Sequence, residues 1–142
     1  MANDVPWTLE SFTASDGYRC HYRHYPATRT PRARVVCIHG IQSHAGWYVY
    51  SCERLARAGF DVFFLDRRGS GRNELARGDA PSFRRLLDDM AEFLAKLRTP
   101  NPELRTFLLA ISWVASWRSH CKSVIPAWWM GSRCCVPASV RL

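Results

Sequence analysis

Three short and almost entirely apolar segments constrain most strongly how this chain can fold. They cover residues 34–38, 60–65 and 106–111, and each has the length of a β-strand. Amphipathic segments separate them, at residues 47–58 and 82–97. Continuous apolar strands that alternate with amphipathic helices are typical of parallel strands covered on both faces. The pattern therefore predicts an α/β fold with a mostly parallel sheet flanked by helices.

The N-terminal region shows a different pattern, that of a β-hairpin. Residues 7–13 and 18–25 are rich in strand-forming residues, and Ser15-Asp16-Gly17 separates them. Asp-Gly between two such runs is a strong hairpin signal. We expect this hairpin to pair antiparallel at one edge of the sheet.

Ligands of open α/β sheets bind at the carboxyl ends of the strands. Three loops follow the apolar strands there: His39-Gly40-Ile41, residues 66–73, and Ser112-Trp113. The helix that begins near Ser82 carries its apolar side chains on one face, and we expect it to serve packing alone. The sequence thus predicts a functional site formed by the three loops.

Charge and cysteine content exclude several other classes of function. The 20 basic residues outnumber the 12 acidic ones, giving a net charge of +8. The basic residues are scattered and nearly all are arginine, so we interpret them as a solvated surface and expect no nucleic-acid partner. The six cysteines include no CxxC pair, so we expect reduced thiols and no metal site.

Targeting signals are also missing from the sequence pattern. No segment reaches the roughly 18 consecutive apolar residues of a transmembrane helix. The first residues contain Asp4 and Pro6 rather than a basic start followed by an apolar core. A cytoplasmic location without a membrane span is the expectation.

The motifs in these loops resemble the α/β-hydrolase family, in particular its monoacylglycerol lipase and lysophospholipase branch, also called serine aminopeptidase S33. The resemblance extends from about Tyr18 to Trp113. The segments that carry it are Val35-Val36-Cys37-Ile38-His39-Gly40-Ile41-Gln42-Ser43-His44-Ala45-Gly46-Trp47-Tyr48, Gly59-Phe60-Asp61-Val62, Asp66-Arg67-Arg68-Gly69-Ser70-Gly71-Arg72-Asn73, the helix from Ser82 to Leu97, and Leu108-Leu109-Ala110-Ile111-Ser112-Trp113.

This resemblance implies a serine nucleophile and no cofactor. Ser112 takes the position of the nucleophile on a strand-to-helix elbow. The backbone N–H groups of Ile41 and Trp113 take the positions of the oxyanion hole, which stabilises the charge of the tetrahedral intermediate. Taken alone, Ser112 would be interpreted as a serine that ends a buried strand. The other motifs, in the right order, favour the nucleophile.

Other residues of these loops receive structural roles in this interpretation. The His39-Gly40 pair is structural in the family, whose catalytic base follows the nucleophile in the chain, so we do not assign His39 as the base. Gly69-Ser70-Gly71 lacks the third glycine and the lysine of a phosphate loop and is interpreted as a sharp turn. Asn73 stands where many family members carry serine, and we expect this difference to change little.

Two departures from the family separate residues 1–113 from residues 114–142. Val114 stands two positions after Ser112, where the crowded elbow requires a small residue. A Ser-His-acid site also needs an acid and then a histidine downstream. After Glu103 the sequence contains no Asp or Glu, and the one later histidine, His120, is too close to the elbow.

These departures favour the interpretation that the chain from about Val114 onward is read out of frame, with a natural variant C-terminus as the alternative. Val114-Ala115-Ser116-Trp117-Arg118 can be encoded so that one added base, read in the shifted frame, gives Gly-Gly-Lys-Leu-Ala. Glycine would then stand two positions after Ser112, as the family requires. We interpret residues 1–113 as the N-terminal part of an α/β-hydrolase domain and residues 114–142 as an atypical tail.

The sequence therefore predicts a serine hydrolase of the lipase or esterase type. The implied substrate is a carboxylic ester such as a monoacylglycerol or a lysophospholipid, and the missing acid and histidine predict little turnover by this chain. Two alternatives remain open at this point. One is a non-catalytic interaction protein built on half of the fold, and the other is a basic nucleic-acid-binding protein.

Overall fold

The structure is a computed structural model that describes residues 5–98 and 100–112. These residues form one sheet of five strands, with a 3₁₀ turn and two α-helices. The strands are β1 (Thr8–Thr13), β2 (Arg19–Tyr25), β3 (Ala33–Ile38), β4 (Phe60–Leu65) and β5 (Thr106–Ala110), and the helices are α1 (Val49–Arg57) and α2 (Phe83–Arg98). Trp113 and the tail at residues 114–142 lie outside the described residues.

The strand order is β1-β2-β4-β3-β5. β3 is parallel to both β4 and β5, whereas β2 pairs antiparallel with β1 and with β4. The predicted α/β fold is confirmed, with its parallel strands and its antiparallel hairpin at one edge. The hairpin turn spans residues 14–18, in which Gly17 has a φ of +85° and the Asp16 carboxylate accepts the N–H of Tyr18 at 3.1 Å.

Two apolar cores cover the two faces of the sheet, which explains why β3 is apolar along its whole length. Val35 and Cys37 pack with Cys52 and Ala56 on the α1 side. Val36 and Ile38 belong to the opposite core, which α2 completes. On that side Phe93 of α2 lies between two aromatic rings of the hairpin, with ring centroids 5.3 Å from Phe12 and 4.8 Å from Tyr22.

The helix predicted over residues 47–58 is divided in the structure. Residues Ala45–Tyr48 form a 3₁₀ turn and α1 begins only at Val49. Gly46 is a poor helix former, and its N–H is accepted by Nδ1 of the preceding His44 at 3.1 Å, which favours a tight turn over a regular helical start. α2 begins at Phe83 because the Ser82 hydroxyl accepts the N–H of Arg85 at 3.0 Å.

The three described cysteines, Cys20, Cys37 and Cys52, are free and buried. Burial raises the pKa of Cys20 to about 12, so this thiol stays protonated and behaves as a small apolar group. Among residues 5–98 and 100–112, no group of three or more His, Cys, Asp or Glu side chains could hold a metal ion. No helix in the same residues has the length and apolar character needed to cross a membrane.

Candidate active site

The strand order places a crevice at the carboxyl ends of β3 and β5. From β3 the chain passes through α1 to β4 on one side, and then through α2 to β5 on the other side of β3. In open α/β sheets ligands bind where the order of strands reverses in this way. Gly40 follows β3 and Ser112 follows β5, so the two predicted site loops lie side by side.

Ser112 has a left-handed backbone conformation, with a φ of +66°. The last ladder bond before it runs from the Ile111 N–H to the Ile38 carbonyl at 3.0 Å, and the chain then leaves the sheet. A residue with a Cβ at positive φ is strained, and such strain persists where the surrounding structure imposes it. β5 itself ends at Ala110, one residue earlier than predicted.

Gly40 touches Ser112 directly. A Cβ added at Gly40 would lie 2.8 Å from the Ser112 Cβ, 3.2 Å from the Ile111 carbonyl oxygen and 3.3 Å from the Ser112 Oγ. Because the first of these distances is shorter than any real Cβ contact, only glycine fits at position 40. The next residue, Ile41, is exposed. Trp113, the other predicted oxyanion residue, lies outside the described residues.

His39 is fully buried, and both of its ring nitrogens are engaged with the main chain. Nδ1 donates to the Gly40 carbonyl at 2.9 Å, and Nε2 accepts the N–H of Arg67 at 3.0 Å. The partner groups require the neutral Nδ1–H tautomer, and burial lowers the pKa of His39 to about 4. His39 therefore holds the loop after β3, which agrees with its exclusion as the catalytic base.

Arg67 also binds this loop, a role that the sequence did not indicate. Its Nε donates to the His39 carbonyl at 3.1 Å and its Nη2 to the Gly40 carbonyl at 2.8 Å. The loop after β4 thus binds the loop after β3 through both the main chain and the side chain of Arg67.

Asp66 organises the backbone at the end of β4. Its carboxylate is buried and accepts the N–H groups of Ala45 at 2.7 Å and Arg72 at 3.0 Å. The sharp turn predicted at Gly69-Ser70-Gly71 is confirmed, since Gly69 and Gly71 have φ values of +68° and +55°. A Cβ at Gly71 would lie 2.2 Å from the Asp66 carboxyl carbon, so the turn closes tightly over this carboxylate.

The expectation that Asn73 matters little was wrong. Its side chain is buried and forms bonds to two elements. Oδ1 accepts the His21 N–H at 2.8 Å, while Nδ2 donates to the carbonyls of Asp66 at 2.7 Å and Arg67 at 2.9 Å. A serine hydroxyl has a single donor hydrogen and could not satisfy both carbonyls. Asn73 therefore links β2 to the loop after β4.

The expectation that α2 serves packing alone was also wrong. Arg68 is buried and forms two parallel bonds to Asp89 of α2, both at 2.8 Å. Arg68 also contacts the hairpin turn, with its Nη2 3.0 Å from Asp16 Oδ1 and its guanidinium 4.0 Å from the centre of the Tyr18 ring. The hydrogen bonds to Asp89 raise the pKa of Arg68. Hairpin, loop and helix are thus joined by one charge cluster around the buried Arg68.

A cleft of about 890 Å³ is lined by Ile41 of the loop after β3 and by Arg67 of the loop after β4. It opens between the loop after β3 and the segment that leads from β4 into α2. Its lining combines apolar and basic side chains, among them Ile41, His44, Arg67, Arg77, Phe83 and Leu86. A ligand with both an apolar part and polar groups would match this lining.

The sequence profile of the serine aminopeptidase S33 family matches residues 29–120. The chain belongs to this family. The matched range contains the loops after β3 and β4, together with β5 and Ser112. Membership in this α/β-hydrolase family agrees with the strand order and with the resemblance carried by the sequence motifs.

Three curated relatives show how far the similarity extends. Monoglyceride lipase from Rattus norvegicus is 28% identical over 110 residues, which are 77% of this chain and 36% of the relative. Phospholipase YtpA from Bacillus subtilis is 33% identical over 97 residues, 63% of this chain and 37% of the relative. The uncharacterised protein YnbC from Escherichia coli is 32% identical over 84 residues, 58% of this chain and 14% of the relative. The chain thus spans little more than a third of these proteins at most.

Solved structures show the same fold at lower identity. A soluble variant of monoglyceride lipase from Saccharomyces cerevisiae, in complex with a substrate analogue, has a TM-score of 0.67 at 20% identity. This match covers 78% of the present chain and 36% of the solved one. A lipase in an open form has a TM-score of 0.66 at 24% identity, covering 76% and 37% of the two chains.

Proposed function

We propose that this chain carries the nucleophile and the oxyanion hole of a serine hydrolase that cleaves carboxylic esters, with Ser112 as the nucleophile. The observation that carries the proposal is the positive φ of Ser112 at the carboxyl end of β5, in contact with Gly40. A nucleophile elbow holds its serine in this strained conformation so that Oγ stands clear of the sheet. A serine that merely ended a strand would have no need of the strain.

In the proposed reaction, Ser112 Oγ attacks the carbonyl carbon of the ester. The negative charge that develops on the carbonyl oxygen is stabilised by the backbone N–H groups of Ile41 and Trp113. Fixed backbone donors are effective because they need no reorganisation as the charge forms. The contact between Gly40 and Ser112 supports this assignment, since it brings the loop that contains Ile41 to the nucleophile.

A lipid ester is the proposed substrate. The relatives named as monoglyceride lipase and phospholipase support this choice. The cleft supports it too, because Ile41, Phe83 and Leu86 offer apolar contacts for an acyl chain while Arg67 and Arg77 line its polar part. A monoacylglycerol and a lysophospholipid both combine an acyl chain with a polar head.

We further propose that these 142 residues by themselves turn over slowly, because no histidine within residues 5–98 and 100–112 is free to act as the base. Among the described histidines, His39 is neutral and bound to the main chain. His21 contacts Asn73, His24 contacts Asp61, and His44 accepts the N–H of Gly46. The sequence after Glu103 contains no Asp or Glu.

Covalent labelling with added imidazole tests the proposal without the missing base. Imidazole takes the Ser112 proton, Oγ bonds to the phosphorus of a fluorophosphonate and fluoride leaves. We expect the label on the tryptic peptide that contains Ser112, and none on that peptide in Ser112→Ala. The matched control is Ser51→Ala, which removes an exposed hydroxyl on α1 and should label like the parent chain. Equal labelling of the parent and Ser112→Ala would reject Ser112 as the nucleophile and favour a non-catalytic interaction protein.

Resequencing tests the proposed division at about Val114. The gene is read from the Leu108 codon to well beyond the stop codon. An extra base that restores Gly-Gly after Trp113, with an open frame that encodes a downstream Asp and His, would support the frameshift. A confirmed stop codon after Leu142 with no such frame beyond it would reject it.

A further inference from the structure

We propose that Arg67 is a positioning residue that sets the orientation of the Gly40–Ile41 peptide. The inference rests on the proposed function in one respect, since it assumes that the N–H of this peptide faces the oxyanion. Arg67 itself does not touch the reacting atoms in this assignment. It acts through the backbone of the loop after β3.

Three hydrogen bonds join Arg67 to this loop, and a fourth lies within the loop between His39 and Gly40. The Arg67 side chain donates to the carbonyls of His39 at 3.1 Å and Gly40 at 2.8 Å. The Arg67 main-chain N–H donates to His39 Nε2 at 3.0 Å, and His39 Nδ1 donates to the Gly40 carbonyl at 2.9 Å. The Gly40 carbonyl therefore accepts two bonds from fixed directions.

Holding this carbonyl also holds the Ile41 N–H. A trans peptide is planar, and its C=O and N–H groups point in opposite directions. The described residues contain no cis peptide bond. When Arg67 and His39 hold the Gly40 oxygen on their side, the Ile41 N–H must point to the other side of the same plane.

The loop needs such a support because its local sequence restrains it weakly. Gly40 has no side chain, which is required by its contact with Ser112, and glycine rotates freely about its backbone bonds. Gln42 has a positive φ of +53°, and Ile41 between them is exposed with 63% relative accessibility. The Ile41 side chain therefore does little to set the orientation of the peptide, and the hydrogen bonds to the Gly40 carbonyl restrain it.

Arginine suits this role better than lysine. Its planar guanidinium presents several N–H groups in a rigid fork and can bind two neighbouring carbonyls at once. A lysine ammonium is a single point donor on a flexible stem, so it would hold one carbonyl and leave the other less well defined. The variant Arg67→Lys thus separates fork geometry from positive charge.

The test uses ¹⁵N NMR of the 142-residue protein and follows the amide of Ile41. In the parent chain we expect one sharp Ile41 signal. In Arg67→Gln we expect this signal to shift and broaden, because the Gly40 carbonyl loses a hydrogen bond from a charged donor and the peptide samples more than one orientation. Arg67→Lys should give a smaller change in the same direction. The amides of β3 and β5 should keep their positions, which separates a local effect from a change of fold.

Arg77→Gln is the matched control. Arg77 lines the same cleft, but its Nη1 donates to the Gly71 carbonyl at 2.8 Å rather than to the loop after β3. We expect it to leave the Ile41 amide unchanged. An Ile41 signal identical to that of the parent, in whichever Arg67 variant is folded, would overturn the proposal. The NMR measurement needs no turnover, so its result is independent of the labelling experiment. A failure to label Ser112 would reject the proposed function, whereas the role of Arg67 is decided by the Ile41 signal alone.

Discussion

The two ends of the sheet use the same residue types in opposite ways. At the carboxyl end of the parallel strands, His39, Asp66 and Asn73 are buried and bind main-chain groups. At the other end, on the α2 side of the sheet, polar side chains bind one another instead. There His24 lies between two carboxylates, with Nε2 2.7 Å from Asp61 and Nδ1 3.3 Å from Glu10.

Those side chains form a row that crosses the whole sheet, and each strand contributes one residue. Arg34 is the register partner of Asp61 on β4 and of Thr106 on β5, and its Nη1 donates to the Thr106 hydroxyl at 3.3 Å. His24 is also stacked on Phe63, with ring centroids 4.2 Å apart. In sheet order the row is Glu10, His24, Asp61, Arg34 and Thr106.

The difference follows from the backbone. Within a sheet the N–H and C=O groups of neighbouring strands satisfy each other, so polar side chains are left to pair among themselves. In the loops at the carboxyl end those groups have no strand partner, and a buried backbone group without a hydrogen bond is costly. His39, Asp66 and Asn73 are therefore used to satisfy backbone groups of the loops that carry the site.

The largest expected loss of stability comes from a glycine substitution in the loop after β4, and a second glycine substitution serves as its comparison. Gly71→Ala places a Cβ 2.2 Å from the Asp66 carboxyl carbon, at a φ of +55°. Gly78→Ala is matched to it, since φ is +75° there and nothing lies within 4 Å of the added atom. We expect Gly78→Ala to lower the free energy of unfolding by about 1 kcal/mol and Gly71→Ala by about 2–3 kcal/mol more. Urea unfolding measures both, and equal losses would show that the turn does not close on Asp66.

Lowering the pH should reduce the free energy of unfolding through protonation of His39 at the carboxyl end of the sheet. Its pKa is lowered to about 4, so between pH 6.5 and pH 4 the unfolded chain binds a proton that the folded chain does not. The contribution of His39 to the free energy of unfolding is thus present above pH 6.5 and falls by about 3 kcal/mol as the pH drops to 4. His39→Gln should show a flatter pH dependence in this window. Parallel curves for the two proteins would contradict the assignment.

At the opposite end of the sheet, the contribution of His24 to the free energy of unfolding should change with pH in the opposite direction and by a smaller amount. Burial alone would lower the pKa of His24, but the hydrogen bonds and charges of Asp61 and Glu10 outweigh it and raise the pKa. The stabilisation is therefore present below about pH 6.5, the value in the unfolded chain, and is lost as the pH rises through the higher value in the folded chain. For this partly exposed pair we expect about 1 kcal/mol.

Asp61→Asn tests this expectation, because it removes the closest carboxylate and keeps the shape of the side chain. The free energy of unfolding of the parent and the variant, compared at pH 5.5 and pH 8.5, should differ more at the lower pH. An NMR titration should show a lower His24 pKa in the variant. A difference that is the same at both pH values would mean that the two side chains do not interact electrostatically.

Much of the fold could be predicted from the sequence, whereas the contacts within the site could not. The apolar runs of β4 and β5 and the one-sided pattern of α2 identify their elements, because strands and helices bury side chains with different periods. The roles of Arg67 and Asn73 left no local signal. Their partners come from segments after other strands, and nothing in the neighbouring residues shows which carbonyl each side chain will reach.

The sequence by itself determined the α/β fold, the antiparallel hairpin and the loops at which a site could form, since these depend on the spacing of apolar and turn-forming residues along the chain. The tertiary structure alone decided that Ser112 turns out of the sheet against Gly40, and that His39 and Arg67 hold the peptide beside it. The strand order brings together His39 and Arg67, which are 28 positions apart in the chain, and Arg34 and Thr106, which are 72 positions apart. Hydrogen bonds of this kind depend on distance and direction, which exist only once the sheet has assembled.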